Sequence, residues 1–305
     1  MNVKKKRGFV TLAVGHERYY RLAANLLKSY RKFSGESDTP FAIYADCENE
    51  YTALFDNVVL LTNATKTYID KLHVLNNPLY TENIFIDADC LIYADINEYW
   101  LYVSNLGGIR CFGCAHPLDF ENGWFRLSDV GEYKERVSYI PTMHGGVIYF
   151  SDDVLSQRIV QDAFDIAKKY SNYKFAYFDK PADEPILALA CSVNHCLPIE
   201  LESSLQKRMF CFLPSCSNVY FNIQKGRLCY EIDGEIVKDV LLLHWQNVNT
   251  TKIAYYSELL ALTLPTSCFI VKKIKFLIFV LKYYGVNLSS RVQSKIKRIF
   301  KIERT

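Results

Sequence analysis

The sequence of 305 residues contains neither a Gly-x-Gly-x-x-Gly fingerprint nor a Gly-x-x-x-x-Gly-Lys-Ser/Thr loop. These glycine-rich turns are the usual main-chain cradles for the phosphates of dinucleotides and nucleoside triphosphates. Their absence excludes the two commonest ways in which an α/β protein holds phosphate through its backbone. If this protein binds a phosphate ligand, we expect a bound metal ion to take over that task.

Long uncharged hydrophobic runs are also missing. The apolar stretch 8–15 is too short for the core of a secretory signal peptide, and charged side chains follow at once from His16 onward. The uncharged run between Lys275 and Lys282 is far shorter than the roughly 20 residues that a membrane-spanning helix needs. We therefore expect a cytoplasmic protein.

A second Cys-x-x-Cys pair is lacking as well. Cys111 and Cys114 have the spacing of a zinc-binding pair, and Cys191, His195 and Cys196 are its candidate partners. Without a second pair, the ten cysteines of the chain are better explained as reduced and mostly buried thiols.

Apolar runs rich in strand formers alternate with segments of helical spacing. We predict strands at 8–15, 41–45, 58–61 and 84–86, and helices at 18–33, 68–75, 154–169 and from residue 183 onward. This alternation is typical of a doubly wound parallel sheet. We predict an α/β domain over residues 1–265, with a mostly parallel central sheet and flanking helices. The aromatic segment 120–139 is expected to be an ordered insertion or a lid.

Two carboxylates follow the apolar strand 84–86. On an extended backbone, residues two apart point to the same side, so Asp87 and Asp89 converge at the end of a core strand. In open α/β sheets, ligands bind at that edge. A hard divalent cation such as Mg²⁺ or Mn²⁺ would relieve the repulsion and could neutralise a diphosphate. The alternative is an acidic turn in which Asp89 caps the backbone.

Three further polar groups stand at the ends of elements. The His-Gly-Gly turn at 144–146 precedes a strand and allows either close backbone approach to a ligand or a tight turn. Asp183 and Glu184 open a helix, where the helix dipole by itself favours acids. His244 ends an apolar strand, as a core residue or as a third metal ligand.

Taken in this order, these motifs resemble the GT-A glycosyltransferases. The chain is most similar to the family-8 group of glycogenin-like enzymes and bacterial lipopolysaccharide galactosyl- and glucosyltransferases. The resemblance covers about residues 8–260, and the Asp-x-Asp motif after an apolar strand is its most specific part. It implies a GT-A fold and the metal-dependent transfer of a hexose from a UDP-sugar to a glycan or glycolipid, with retention.

The resemblance assigns the metal ligands and the catalytic pair. Asp87, Asp89 and His244 match the residues that hold Mn²⁺ (or Mg²⁺) on the donor's diphosphate. The glycine that the family has shortly after this histidine is missing here. Asp183 matches an aspartate that binds sugar hydroxyls, and Glu184 stands where the family has a glutamine below the anomeric carbon.

The remaining donor-site residues follow in the same way. His144, Gly145 and Gly146 match a turn that faces the donor sugar, with histidine in place of asparagine. The other donor-binding candidates lie at strand ends that contact uridine, in the helix before the Asp-x-Asp motif and inside that motif: Val14, Asp46, Lys71 and Ala88.

Positive charge is concentrated at the C-terminal end. From residue 270 onward the chain carries ten Lys or Arg against one acidic residue, a net charge of +9 that leaves −6 for the rest. We predict that residues 266–305 form a basic amphipathic helix on an anionic membrane surface, which would place the protein peripherally at the inner membrane face. The alternative is a terminal helix docked on the domain with a solvated basic face. We expect no nucleic-acid partner, since no such motif is present.

Two other functions share the same sheet and carboxylates. A sugar nucleotidyltransferase would carry a glycine-rich basic loop after its first strand, and residues 14–18 match such a loop poorly. A catalytically inactive GT-A scaffold that only binds a membrane surface is the alternative that is not an enzyme.

Overall fold

The computed structural model describes residues 6–35, 37–176, 180–213, 217–250 and 252–263. The predicted basic segment 266–305 and its boundary at residue 265 lie outside the described residues. The chain divides into two compact units after Gln246. The described part of the second unit contains a helix over Ile253–Thr263.

The described residues form twelve strands: β1 (Arg7–Ala13), β2 (Phe41–Ala45), β3 (Asn57–Leu60), β4 (Glu82–Ile86), β5 (Cys90–Ile92), β6 (Ile109–His116), β7 (Ile140–Ser151), β8 (Cys211–Phe212), β9 (Ser217–Asn222), β10 (Arg227–Ile232), β11 (Glu235–Val237) and β12 (Leu242–His244). The helices are α1 (Glu17–Ser34), α2 (Asp70–Asn76), α3 (Trp100–Val103), α4 (Val154–Lys168), α5 (Asp183–Val193), α6 (Ser203–Met209), α7 (Gln246–Asn249) and α8 (Ile253–Thr263). The four strands and four helices predicted from the sequence are all present, with ends shifted by a few residues.

The central sheet has the strand order β3-β2-β1-β4-β7-β6 among the described residues. The first four of these strands run parallel. Strand β7 lies between β4 and β6 and is antiparallel to both. The mostly parallel α/β sheet is therefore confirmed, but the site strand β4 has one parallel and one antiparallel neighbour.

Helices cover both faces of this sheet because successive strand residues point to opposite sides. Phe9 packs with the α1 face, and its neighbour Val10 packs with the face covered by α2, α4 and α5. Both side chains are fully buried. The segment 120–139 contributes Phe125, Val130 and Tyr133 to the second of these cores. It is an ordered insertion that is packed into the core.

Two small sheets complete the first unit. Strand β12 pairs antiparallel with β5 and parallel with β8, which brings the distant residues His244, Cys90 and Phe212 side by side. Strands β9, β10 and β11 form a separate antiparallel sheet. No helix among the described residues is long and apolar enough to cross a bilayer.

Asp153 fixes the start of α4 and the adjoining loop. One carboxylate oxygen accepts a hydrogen bond from Ser156 N at 2.7 Å, and the other accepts from Gly108 N at 3.0 Å and from the Ser151 hydroxyl at 2.6 Å. We expect Asp153→Ala to lower the free energy of unfolding by about 1–2 kcal/mol, as for other lost N-caps. Urea denaturation measures this difference, with exposed Asp119→Ala as the control; equal stability of the two variants would contradict it.

Candidate functional site

The candidate site lies where β4 ends and β7 passes beside it. Asp87 follows β4 directly, and its backbone N–H donates to Gly146 O in β7 at 3.0 Å. This bond extends the β4–β7 ladder by one residue and fixes Asp87 beside the two glycines of β7. The carboxylates of Asp87 and Asp89 both retain some solvent exposure, at 23% and 15% of their side chains. A ligand can therefore reach them.

His244 joins the two aspartates through the small β5–β12–β8 sheet. Its Nε2 lies 3.1 Å from Asp89 Oδ1 and 3.9 Å from Asp87 Oδ2. The backbone supports this placement, because His244 pairs with Cys90, the residue after Asp89. The structure thus brings His244 beside two aspartates that stand more than 150 positions earlier in the sequence.

The donor set fits a hard divalent cation. Neighbouring ligands of an octahedral ion with bonds of about 2.1 Å lie about 3.0 Å apart. The 3.1 Å between Asp89 Oδ1 and Nε2 of His244 matches this spacing, whereas Asp87 Oδ2 lies farther away, at 3.9 Å from Nε2. The Cys90 thiol also lies within 4.8 Å of the ligand atoms of Asp89 and His244. Burial, followed by the charges of the two aspartates, raises the pKa of this thiol well above its usual range. The hard ligands of this cluster are therefore Asp89 and His244, and Asp87 stands beside them with its Oδ2 3.9 Å from Nε2 of His244.

His244 responds to these carboxylates. Burial lowers its pKa, but the hydrogen bond and charge of Asp89, together with the charge of Asp87, raise it overall above the ordinary value. The imidazole therefore lies next to the negative charge of the two aspartates. The same charge would attract a metal cation.

Lys71 connects the metal group to the start of α5. Its ammonium lies 3.0 Å from Asp87 Oδ1 and 2.5 Å from Asp183 Oδ2, and it donates to Gly145 O at 3.0 Å. Although burial lowers the pKa of Lys71, the charges of Asp183 and Asp87 raise it overall. The lysine is therefore a permanent buried cation between the two acidic groups.

Glu184 sits beside Gly145 of β7 in an environment that favours its protonated form. Burial first, then the charge of Asp183, raises its pKa to about 7, against the opposing effects of the Gly145 N–H and Lys71. The Gly145 N–H donates to Glu184 Oε1 at 2.7 Å. A carboxyl group that titrates near neutral pH can exchange a proton with a substrate, and its ionised form can stabilise positive charge.

The turn predicted at 144–146 is wrong, because His144, Gly145 and Gly146 lie inside strand β7. The two glycines make room for two different groups. Successive residues of a strand point to opposite sides. A Cβ atom on Gly145 would lie 2.7 Å from Cγ of Glu184, whereas one on Gly146 would lie 2.9 Å from Nδ1 of His244. Strand β7 therefore runs between the carboxyl pair and the metal group, and each side needs a glycine at that position.

His144 is an uncharged hydrogen-bonding group. Burial, then the charges of His244 and Lys71, lowers its pKa to about 3. Its Nδ1 accepts a hydrogen bond from Gly146 N at 3.1 Å, so the neutral ring carries its proton on Nε2. The ring contacts the half-buried Phe210 and Phe212 at centroid distances of 4.9 and 4.5 Å. The sequence analysis missed these two rings, although Phe-Cys-Phe shows the alternation of a short strand.

Val14 and Asp46 lie at the neighbouring ends of β1 and β2, as their predicted role requires. The Asp46 carboxylate accepts hydrogen bonds from Gly15 N at 3.1 Å and from the Tyr20 hydroxyl, and Lys66 Nζ lies 3.6 Å away. Burial by itself would raise the pKa of Asp46, but these contacts together lower it below its usual value. In this structure Asp46 holds the loop after β1, and the sequence analysis missed its partners Tyr20 and Lys66.

Ala88 is half-buried between the two aspartates and packs against the α1 face of the core. The candidate zinc group is not assembled among the described residues, where Asp89, Cys90 and His244 form the one cluster of potential metal ligands. Cys191 and Cys196 instead both donate to Ile109 O, at 3.4 and 3.3 Å. All eight described cysteines are free thiols, and five of them are buried.

Comparison with known proteins supports the fold. No protein-family model and no curated protein sequence matches this chain. The apo structure of the bifunctional glycosyltransferase WbbM matches with a TM-score of 0.50 and 11% identity, over 87% of this chain and 51% of that chain. Two structures of the glycosyltransferase GlyE from Streptococcus pneumoniae TIGR4, one of them the apo form, match with a TM-score of 0.42, at 11% and 14% identity, over 66% of this chain and 46% of those chains.

This chain therefore spans about half the length of the solved structures that it matches. The similarity to WbbM shows a glycosyltransferase fold. The narrower assignment to the family-8 group stays a prediction.

Proposed function

We propose that this protein is a metal-dependent glycosyltransferase that moves a hexose from a UDP-sugar to a glycan or glycolipid acceptor, with retention, at the cytoplasmic face of a membrane. The observation that carries the proposal is the meeting of two acidic pairs at one sheet edge. Asp87 and Asp89 with His244 form one group, and Asp183 with Glu184 forms the other. Lys71 joins the two groups.

The charge balance of this cluster favours a cation together with an anionic ligand. Its described carboxyl groups are those of Asp87, Asp89, Asp183 and Glu184, and they share the single ammonium of Lys71. A diphosphate would be repelled from such a site unless a divalent cation lay between them. Mn²⁺ or Mg²⁺ would be held by Asp87, Asp89 and His244.

Bound there, the ion would supply Lewis-acid stabilisation for the diphosphate that leaves the sugar. The chain's own residues account for the other requirements. The Asp183 carboxylate can accept hydrogen bonds from sugar hydroxyls, and Nε2–H of His144 can donate one. The ionised form of Glu184 can stabilise the positive charge that develops on the sugar ring. Gly145 and Gly146 allow the donor to approach the backbone closely.

The test is a calorimetric titration of the full-length protein with UDP, with and without Mn²⁺. We expect Mn²⁺ to tighten UDP binding by at least about tenfold, which corresponds to 1.4 kcal/mol. A panel of sugar nucleotides then identifies the donor from the UDP released in the presence of Mn²⁺.

The alternatives give different results in the same assays. A protein that binds no UDP under either condition would contradict the proposal and favour an inactive scaffold. Formation of a UDP-sugar from UTP and a sugar 1-phosphate would indicate a nucleotidyltransferase instead.

A further inference from the structure

The ammonium of Lys71 is surrounded by acceptor atoms of the protein itself. Lys71 belongs to α2, and its side chain is only 9% exposed. A lysine ammonium has three N–H donors. Within the described residues it meets three acceptors, Asp87 Oδ1 at 3.0 Å, Gly145 O at 3.0 Å and Asp183 Oδ2 at 2.5 Å. The contact with Gly145 O is a hydrogen bond, and the two carboxylates hold the ammonium as ion pairs.

The three acceptors come from three separate elements. Asp87 follows β4, Gly145 lies in β7 and Asp183 is the first residue of α5. The ammonium also lies 5.0 Å from the centre of the buried Phe85 ring. A lysine that bound the phosphates of a ligand would need at least one donor directed into open space.

We propose that Lys71 is a positioning residue that fixes Asp87 and Asp183 relative to each other, and that it does not contact the donor's diphosphate. This inference rests on the proposed function, because it gives Lys71 a role within that site. By holding Oδ1 of Asp87, the ammonium leaves Oδ2 on the side of His244, where that oxygen lies 3.9 Å from Nε2. By holding Asp183, it sets the start of α5 and hence the place of the neighbouring Glu184.

The test compares Lys71→Met and Lys71→Arg with the control Lys168→Met, an exposed lysine whose side chain is 70% accessible. Arginine keeps the positive charge, but its guanidinium group is larger and planar. It cannot contact three acceptors that converge on the space of an ammonium group. A positioning role therefore predicts that both Lys71 variants lose catalytic activity to the same extent. An electrostatic contact with phosphate predicts that the arginine variant is largely spared.

The first readout is the ratio of UDP affinity to UMP affinity in EDTA, measured by NMR titration. We expect this ratio to stay within twofold of wild type in both Lys71 variants. Loss of a contact with the phosphate would lower this affinity ratio by roughly tenfold or more, because a hydrogen bond to a charged group contributes that much binding free energy. Such a drop in Lys71→Met, with the ratio retained in Lys71→Arg, would overturn the inference.

The second readout is turnover of the donor with Mn²⁺. We expect kcat to fall about 100-fold in both Lys71 variants, the usual effect of misplacing catalytic groups by about 1 Å, while KM for the donor changes less than threefold. Unchanged kcat in Lys71→Arg would also contradict a positioning role, because that variant cannot reproduce the three contacts.

A thermal unfolding series tests the contact without any nucleotide. Lys71→Met leaves two buried carboxylates without their cation, so we expect a large loss of melting temperature. Adding Asp183→Asn to Lys71→Met removes one of those charges, and the double variant is expected to melt higher than Lys71→Met alone. If the double variant melts lower, the lysine does not balance Asp183, and the inference fails. A wild-type protein that binds no UDP but shows this rescue overturns the proposed function and leaves the positioning contact standing.

Discussion

Asp89→Asn is expected to reduce the Mn²⁺-dependent turnover of a UDP-sugar by at least about a thousandfold, because a bound metal supplies several kcal/mol of transition-state stabilisation. Asparagine has the same shape but lacks the negative charge. It also cannot keep the charge-assisted contact at 3.1 Å between Asp89 Oδ1 and Nε2 of His244. Initial rates at saturating donor, together with Mn²⁺ affinity from electron paramagnetic resonance, measure the effect.

The matched control is Asp165→Asn on the exposed face of α4, where the carboxylate contacts Lys168 at 3.0 Å. Exposed ion pairs of this kind contribute little to protein stability, so this variant should keep wild-type rates and metal affinity. The fold of Asp89→Asn should persist, since the backbone carbonyl of residue 89 still accepts from Trp245 N at 3.1 Å. Wild-type turnover in a folded Asp89→Asn protein would remove Asp89 from the proposed metal site.

Gly146→Ala is expected to weaken Mn²⁺ binding about 10- to 100-fold, the range found when the support of a metal ligand is disturbed. The added Cβ would lie 2.9 Å from Nδ1 of His244 and 3.1 Å from Nδ1 of His144. The first of these distances is too short for a carbon atom, so His244 has to move away from the two aspartates. A metal titration of the purified variant measures the loss.

Gly145→Ala is the matched partner on the opposite face of β7. Its Cβ would lie 2.7 Å from Cγ of Glu184, on the side away from His244. We expect this variant to lose turnover while its Mn²⁺ affinity stays within about threefold of wild type, because the metal ligands are not displaced. Equal loss of metal affinity in both glycine variants would show that the two faces of the strand do not separate these functions.

The sequence determined those features that depend on local pattern. Apolar periodicity located the strands around β1, β2, β3 and β4 and the helices α1, α2, α4 and α5, because a buried face repeats with the period of its element. The same pattern placed Asp87 and Asp89 at the end of a core strand, because the two aspartates directly follow the apolar run in the sequence. The roles of these residues stay predictions, but their place in the fold follows from the residues around them.

Tertiary structure alone decided which distant groups meet. The pairing of β12 with β5 puts His244 against Asp89, and the antiparallel course of β7 puts its two glycines between the two acidic groups. Burial then raised the pKa of Glu184 to about 7, and three separate elements placed acceptor atoms around the ammonium of Lys71. Contacts and desolvation of this kind depend on which residues surround a group in three dimensions. Residue type and spacing along the chain do not give that information.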